Sequence, residues 1–151
     1  MANSVCEVLL TEAPLKALNR DVDGEAGAVV DFWGVVRELE NGSVIEGIDY
    51  ECHVMMARHQ LRVLAEAALG KFHLNKVIVH HRIGFVPMGH ASLLVQVQAK
   101  HRDAAFEASK WIVAELKKKV PIWKKPRFKV DSRAPKLRNQ PRSMASISSR
   151  K

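Results

Sequence analysis

The sequence has little cysteine: Cys6 and Cys52 are its only two among 151 residues, and they match no metal-binding spacing. No apolar run approaches the length of a membrane-crossing helix, although 47% of the residues are hydrophobic. A soluble globular chain with one domain and one core is therefore expected. The N-terminus shows no charged region followed by an apolar one, so no secretory signal is expected either. Without export, the two thiols read as a reduced pair, which points to the cytoplasm. A phosphate loop is missing, since Gly84 and Gly89 lack the Lys-Ser/Thr ending that such a loop needs. No local pattern supports a Ser-His-Asp or Cys-His nucleophile; Cys52 has His53 beside it, but on the opposite side of a strand.

Seven histidines raise zinc as a hypothesis, and their spacing argues against it. His80 and His81 are adjacent, so on a strand they point to opposite faces and do not serve one ion without distortion. His90 and His101 lie at opposite ends of one expected strand, with neither Cys52 nor a carboxylate at ligand spacing. No metal is expected.

Charge is uneven. Between Lys124 and Lys151 ten Lys/Arg face one acid, Asp131, a segment charge of +9. The remaining 14 basic and 15 acidic groups leave the body at −1. The body is near neutral and the excess sits in a C-terminal tail. Such a tail reads either as a solvated extension or as a binder of nucleic acid or acidic surfaces. A basic nucleic-acid-binding domain is thus the alternative function, though the chain lacks the aromatic–basic interleaving that stacks bases.

Periodicity predicts a strand over 5–10, a short helix over 14–20 opened by Thr11-Glu12-Ala13-Pro14, and a turn over 21–24. Residues 26–37 are almost continuously apolar and read as a strand buried on both faces, with Gly27 and Gly34 marking a bulge or a close backbone approach. Asn41-Gly42 is a two-residue hairpin signal. Residues 44–52 alternate, with Val44, Glu46, Ile48, Tyr50 and Cys52 on one face and most of these expected in the core. Val54, Ala57, Leu61, Leu64, Ala65 and Ala68 form a helical stripe ending at Gly70 as C-cap. Strands over 76–82 and 91–99 follow, joined by a turn-rich link over 83–89. A second long helix spans 102–119, and a short strand is expected over 128–130. This β-α-β-β-α-β-β-α order is that of an α+β domain, with helices packed on a largely antiparallel sheet. Residues 1–131 form the domain; residues 132–151 are polar, basic and expected to be mobile or ordered only by a partner.

Cations gather where these elements end. Ala105, Ala108, Ile112 and Leu116 mark the buried stripe of the second helix, and Lys117 follows at its edge. Pro121 stops that helix at Val120, so the chain turns near Trp123 and Lys124 approaches Lys117 from another direction. Arg37 closes the 26–37 strand. His101 and Arg102 sit where a strand passes into the helix, whose N-terminal amides add positive potential. Two readings stay open: a site for a small phosphate- or carboxylate-bearing molecule, or surface charge complementing a helix dipole.

The residues that carry a resemblance are Phe32-Trp33-Gly34-Val35-Val36-Arg37, Tyr50-Glu51 followed by Met56-Ala57, His81-Arg82-Ile83-Gly84, His101-Arg102-Asp103-Ala104-Ala105-Phe106, and Lys117 with Val120-Pro121-Ile122-Trp123-Lys124-Lys125. In this order they resemble the large, catalytic subunit family of molybdopterin synthase, over residues 5–125. The resemblance implies an α/β hammerhead fold with a small β subdomain. It implies a homodimer that binds two small ubiquitin-like sulfur-carrier subunits, a heterotetramer. The carrier's Gly-Gly tail, as a thiocarboxylate, would enter the large subunit and deliver two sulfurs to cyclic pyranopterin monophosphate, forming the dithiolene of molybdopterin. By the same resemblance Lys117 and Lys124 are catalytic. Arg37, His101 and Arg102 belong to the anion-binding pocket, which the backbone at Val35 and Val36 and the Lys125 side chain also line. No cofactor, metal or nucleotide is implied for this subunit. The chain departs from many relatives in having Pro126 and a basic tail where they carry an acidic residue and an acidic tail.

Overall fold

Hydrophobic periodicity places both long helices. The computed structural model describes residues 5–18, 22 and 24–130. In it α1 (Val54–Lys71) buries Ala57, Leu61, Leu64, Ala65 and Ala68, one stripe at helical spacing. His53 caps it, Nδ1 accepting from the Met56 N–H at 3.4 Å. The helix runs through Gly70 and ends at Phe72, after which His73 turns the chain at φ 55°. α2 (Arg102–Lys119) buries Ala105, Ala108, Ser109, Ile112 and Leu116. Val120 leaves the helix with φ −93° and ψ 126°, the extended backbone that the following proline imposes, while its N–H still donates to the Leu116 carbonyl.

The helices lie on a sheet of β1 (Cys6–Thr11), β5 (Lys76–Arg82), β7 (Ala91–Ala99) and β2 (Ala28–Val35), in that order across the sheet. β1 and β5 are parallel; β5–β7 and β7–β2 are antiparallel. The main core fills the space between this sheet and the helices, with Leu61, Val77, Val79, Val95, Val97 and Ile112 fully enclosed. A second, smaller sheet joins β3 (Leu39–Glu40), β4 (Ser43–Cys52), β6 (Gly84–Pro87) and β8 (Ile122–Phe128) around β4. Its own core is Val36, Ile45, Ile48, Tyr50 and Val86. The fold is α+β with mostly antiparallel pairing. Among the described residues no helix is long and apolar enough to cross a membrane.

Several sequence expectations change. Residues 14–18 form no helix, and Arg20 lies outside the described residues, as do Asp21, Asp23 and the 132–151 tail. β2 is not buried on both faces: it is the last strand of its sheet, and Phe32, Trp33 and Val35 are 37%, 37% and 51% exposed. The 83–89 link contains β6. The final strand begins at Ile122, not 128, and tolerates Pro126 because it pairs with β4 alone and needs no donor on its other edge. In β4 the alternation slips at a bulge between Ile45 and Gly47, so Ile45 and Ile48 both face the core while Val44 is exposed.

Candidate active site

Lys117, Lys124 and Arg37 are far apart in sequence, and the fold brings them to one cavity of about 390 Å³. Lys117 comes from the last turn of α2, and Lys124 from β8, opposite Tyr50 of β4. Arg37 follows β2, whose register on β7 shifts between Gly34 and Val35. That bulge delivers Val36 to a turn rather than to the sheet: its N–H donates to the His90 carbonyl at 3.0 Å, and its carbonyl accepts from Gly89 at 2.8 Å. Val35 and Arg37, on either side, then reach the cavity lining. Leu116, Val120, Leu93 and Ile122 supply apolar wall, and Tyr50, His81 and Ser92 are buried polar lining.

The three lining cations are exposed, and none has a carboxylate partner among the described residues. Their neighbours do. Lys118 and Lys119 both pair with Glu115, at 3.5 and 3.0 Å, and hold its carboxyl below the usual range, with the Lys119 hydrogen bond the largest cause. Lys125 bonds Glu51 at 3.2 Å, and Arg127 grips Asp49 with two nitrogens at 3.0 and 3.3 Å. No Asp or Glu lines the cavity among the described residues. Its mouth is thus a cluster of uncompensated positive charge, an arrangement that favours an anion.

Not every residue expected at the site meets there. Lys125 does not line the cavity: strand alternation sends it away from Lys124 and toward Glu51. Lys124 itself sits within a strand rather than on a turn. His101 and Arg102 open α2 at its far end, where they line a separate recess with Gly27, Lys100 and Asp103. The helix rises about 22 Å from Arg102 to Lys117, so within one chain these two do not join Lys117.

The cavity also contains residues that sequence reasoning assigned no role. The Tyr50 hydroxyl is hydrogen-bonded with Ser92, whose Oγ lies 3.5 Å from the Gly34 carbonyl. Burial pushes the Tyr50 phenol up, and it stays protonated. His81 packs edge-on to Tyr50 at 5.3 Å, and its Nδ1 lies 2.8 Å from the Arg82 carbonyl. The adjacent His80 faces the other side of the sheet and pairs with Glu7 at 2.9 Å. Alternation in β5 was the available signal, but only the fold shows which histidine points inward. Among the described residues no three His, Cys, Asp or Glu side chains gather as a metal site would require.

A family model described as MoaE protein matches residues 8–119. The molybdopterin synthase catalytic subunit of Thermoplasma volcanium is 36% identical over 126 residues, covering 83% of this chain and 92% of that one. A crystal structure of molybdopterin synthase from Staphylococcus aureus superposes with a TM-score of 0.75 at 27% identity, over 85% of this chain and 94% of that one. The complex of subunits 1 and 2 of molybdopterin-converting factor from Helicobacter pylori shares the fold, with a TM-score of 0.60 at 19% identity over 83% and 90% of the two chains. The matched segment holds the bulge at Gly34, the inward His81 and the cationic end of α2, and this chain belongs to the MoaE protein family.

Proposed function

We propose that this chain is the catalytic subunit of a molybdopterin synthase. It takes sulfur from the thiocarboxylated C-terminus of a small ubiquitin-like carrier and places it on cyclic pyranopterin monophosphate. The observation that carries this reading is the trio Arg37, Lys117 and Lys124, without a carboxylate partner among the described residues, around one cavity whose other lining is apolar apart from Tyr50, His81 and Ser92. Donor and acceptor are both anions, so fixed cations bring together two molecules that repel each other in water. The apolar wall suits a fused ring, and the cavity falls in the ordinary size range of small-molecule sites.

Lys117, on a rigid helix, orients the thiocarboxylate and donates to the oxygen that departs from the substrate carbon. Arg37 and Lys124 hold anionic groups, and Val36 fixes the backbone that presents Arg37. The small carrier is the partner, in keeping with the two-subunit complex among the fold's relatives.

His101 and Arg102 belong to the same site when a second copy supplies them. Their distance from Lys117 along α2 supports this, as does β2, whose outer edge has no partner strand among the described residues and exposes Phe32, Trp33 and Val35. The assembly is then a symmetric homodimer with one carrier on each half, acting in the cytoplasm without a cofactor of its own.

The test is direct: the protein is mixed with thiocarboxylated carrier and cyclic pyranopterin monophosphate, and molybdopterin is assayed. Product proportional to protein is expected; none, with carrier bound, overturns the reading.

A further inference from the structure

Replacing a carbon–oxygen bond by carbon–sulfur, with a thiocarboxylate as donor, takes two steps with opposite proton demands. In the first, the carrier's sulfur bonds to the substrate carbon, and the departing oxygen leaves as water after taking up a proton. Carrier and substrate are then joined as a thioester. In the second, water adds to the acyl carbon, the acyl carbon–sulfur bond breaks, and one proton is released. The products are a carrier carboxylate and a substrate thiol. No electron changes hands, and the proton taken up in the first step balances the one released in the second.

The cavity is rich in donors for the first step and poor in acceptors for the second. An ammonium or guanidinium has N–H groups and no acceptor. No carboxylate lines the cavity among the described residues, and the hydroxyls of Tyr50 and Ser92 are engaged with each other. What remains is His81, which is 5% exposed and lines the same cavity. Because a carbonyl oxygen only accepts, the 2.8 Å contact with Arg82 requires the proton on Nδ1. In the neutral ring Nε2 is therefore a bare acceptor, and it has no hydrogen-bond partner among the described residues. Tyr50, edge-on at 5.3 Å, fixes the ring plane. The arrangement is that of a positioned base: one nitrogen anchored, the other open, the ring clamped.

We propose that His81 is a further catalytic residue, whose Nε2 takes the proton from the water that frees the carrier tail after each sulfur has been transferred. This rests on the synthase reading and adds to it a division of labour: ammonium groups serve the step that consumes a proton, and a neutral imidazole serves the step that releases one. Burial, which holds the ring below its ordinary pKa, keeps it neutral and ready to accept.

The test compares wild type with His81→Asn, whose amide keeps a donor for the Arg82 carbonyl but has no base at the Nε2 position. His81→Gln, which reaches the Nε2 position without basicity, is the second variant should the first fold poorly. Each is mixed with thiocarboxylated carrier and cyclic pyranopterin monophosphate. Product is assayed, and the intact mass of the carrier is followed with and without hydroxylamine, which cleaves thioesters. Wild type is expected to turn over without accumulating adduct. The variants should bind carrier normally, form product about 100-fold more slowly, and accumulate a carrier–substrate adduct that hydroxylamine removes. Product at the wild-type rate, or slow product without adduct, overturns the role of His81. A wild-type protein that makes neither product nor adduct overturns the synthase reading itself.

Discussion

Pairing separates Lys117 from the two lysines that follow it in the same run. Lys118 and Lys119 share Glu115, whereas Lys117 faces the cavity with no carboxylate partner among the described residues. Lys117→Ala is therefore expected to reduce molybdopterin formation to near zero, and Lys124→Ala to cripple it with a larger share of the loss in substrate KM. Lys117→Arg should not restore the rate, because a guanidinium does not give up its proton near neutral pH. Steady-state assays on the three variants check this, with folding stability unchanged because exposed charges contribute little to it. Lys117 and Arg37 were legible in the sequence because each stands where an element ends, and Lys124 because Pro121 stops the helix before it. His81 was not, since two adjacent histidines on one strand look alike until the helices cover one face. That covering has a pH signature. His81 is neutral when folded, its pKa lowered from 6.5 mainly by burial, with the Arg82 carbonyl acting the other way. The titratable groups that share its cavity are Tyr50, Arg37, Lys117 and Lys124. Below about pH 6.5 the unfolded chain binds a proton that the folded one refuses, so stability is complete above that pH and declines as pH falls toward the folded value. The melting temperature should drop between about pH 7 and 5.5, and His81→Asn should flatten that part of the drop.

At the scale of elements, what repeats along the chain could be read and what depends on neighbours could not. α2 and the strands β5 and β7 lie where periodicity put them, because a stripe or an alternation is a local property. Asn41 and Gly42 form the expected two-residue hairpin, with φ of 53° and 82° and Glu40 opposite Ser43. The apolar run of 26–37 gave no sign that it is an edge strand, since an exposed apolar face awaiting a partner looks in sequence like a buried one. The bulge in β4 was equally hidden, because it arises from pairing with β8. Close contacts at Gly47 explain a glycine in that strand: an added Cβ would lie 2.4 Å from the Val86 carbonyl oxygen and 2.6 Å from the Phe85 ring. The carbonyl belongs to backbone paired with β4, so relief requires β4 and β6 to part. Gly47→Ala is thus expected to destabilise the protein by about 1–3 kcal/mol, measured by denaturant unfolding. It should also lower activity more than a core substitution of equal cost in α1, because β4 carries Tyr50 and pairs with the strand that holds Lys124.

At the scale of the whole molecule, the residues expected at the site do not all meet within one chain. The 102–119 helix keeps Lys117 near one end and His101 and Arg102 at the other, about 22 Å away by helical rise, while the family resemblance assigns all three to one pocket. The proposed two-fold dimer would resolve this by setting the N-terminal end of one α2 beside the C-terminal end of the other. The sequence marked these residues as cations at element ends but carried no information on which copy would supply which. Mixing inactive variants distinguishes the two cases. Lys117→Ala and Arg102→Ala homodimers each have a defect in every site. In a mixed dimer with sites shared between copies, one site collects both defects and the other has none. If every site were built within one chain, each would retain a single defect. Random exchange makes about half the dimers mixed, so about a quarter of all sites become intact. Co-refolding or co-expressing the two variants should therefore recover about a quarter of wild-type molybdopterin formation, and size-exclusion chromatography should show the mixed species as a dimer. No recovery, with mixed dimers demonstrated by mass, would show that the sites are not shared between copies.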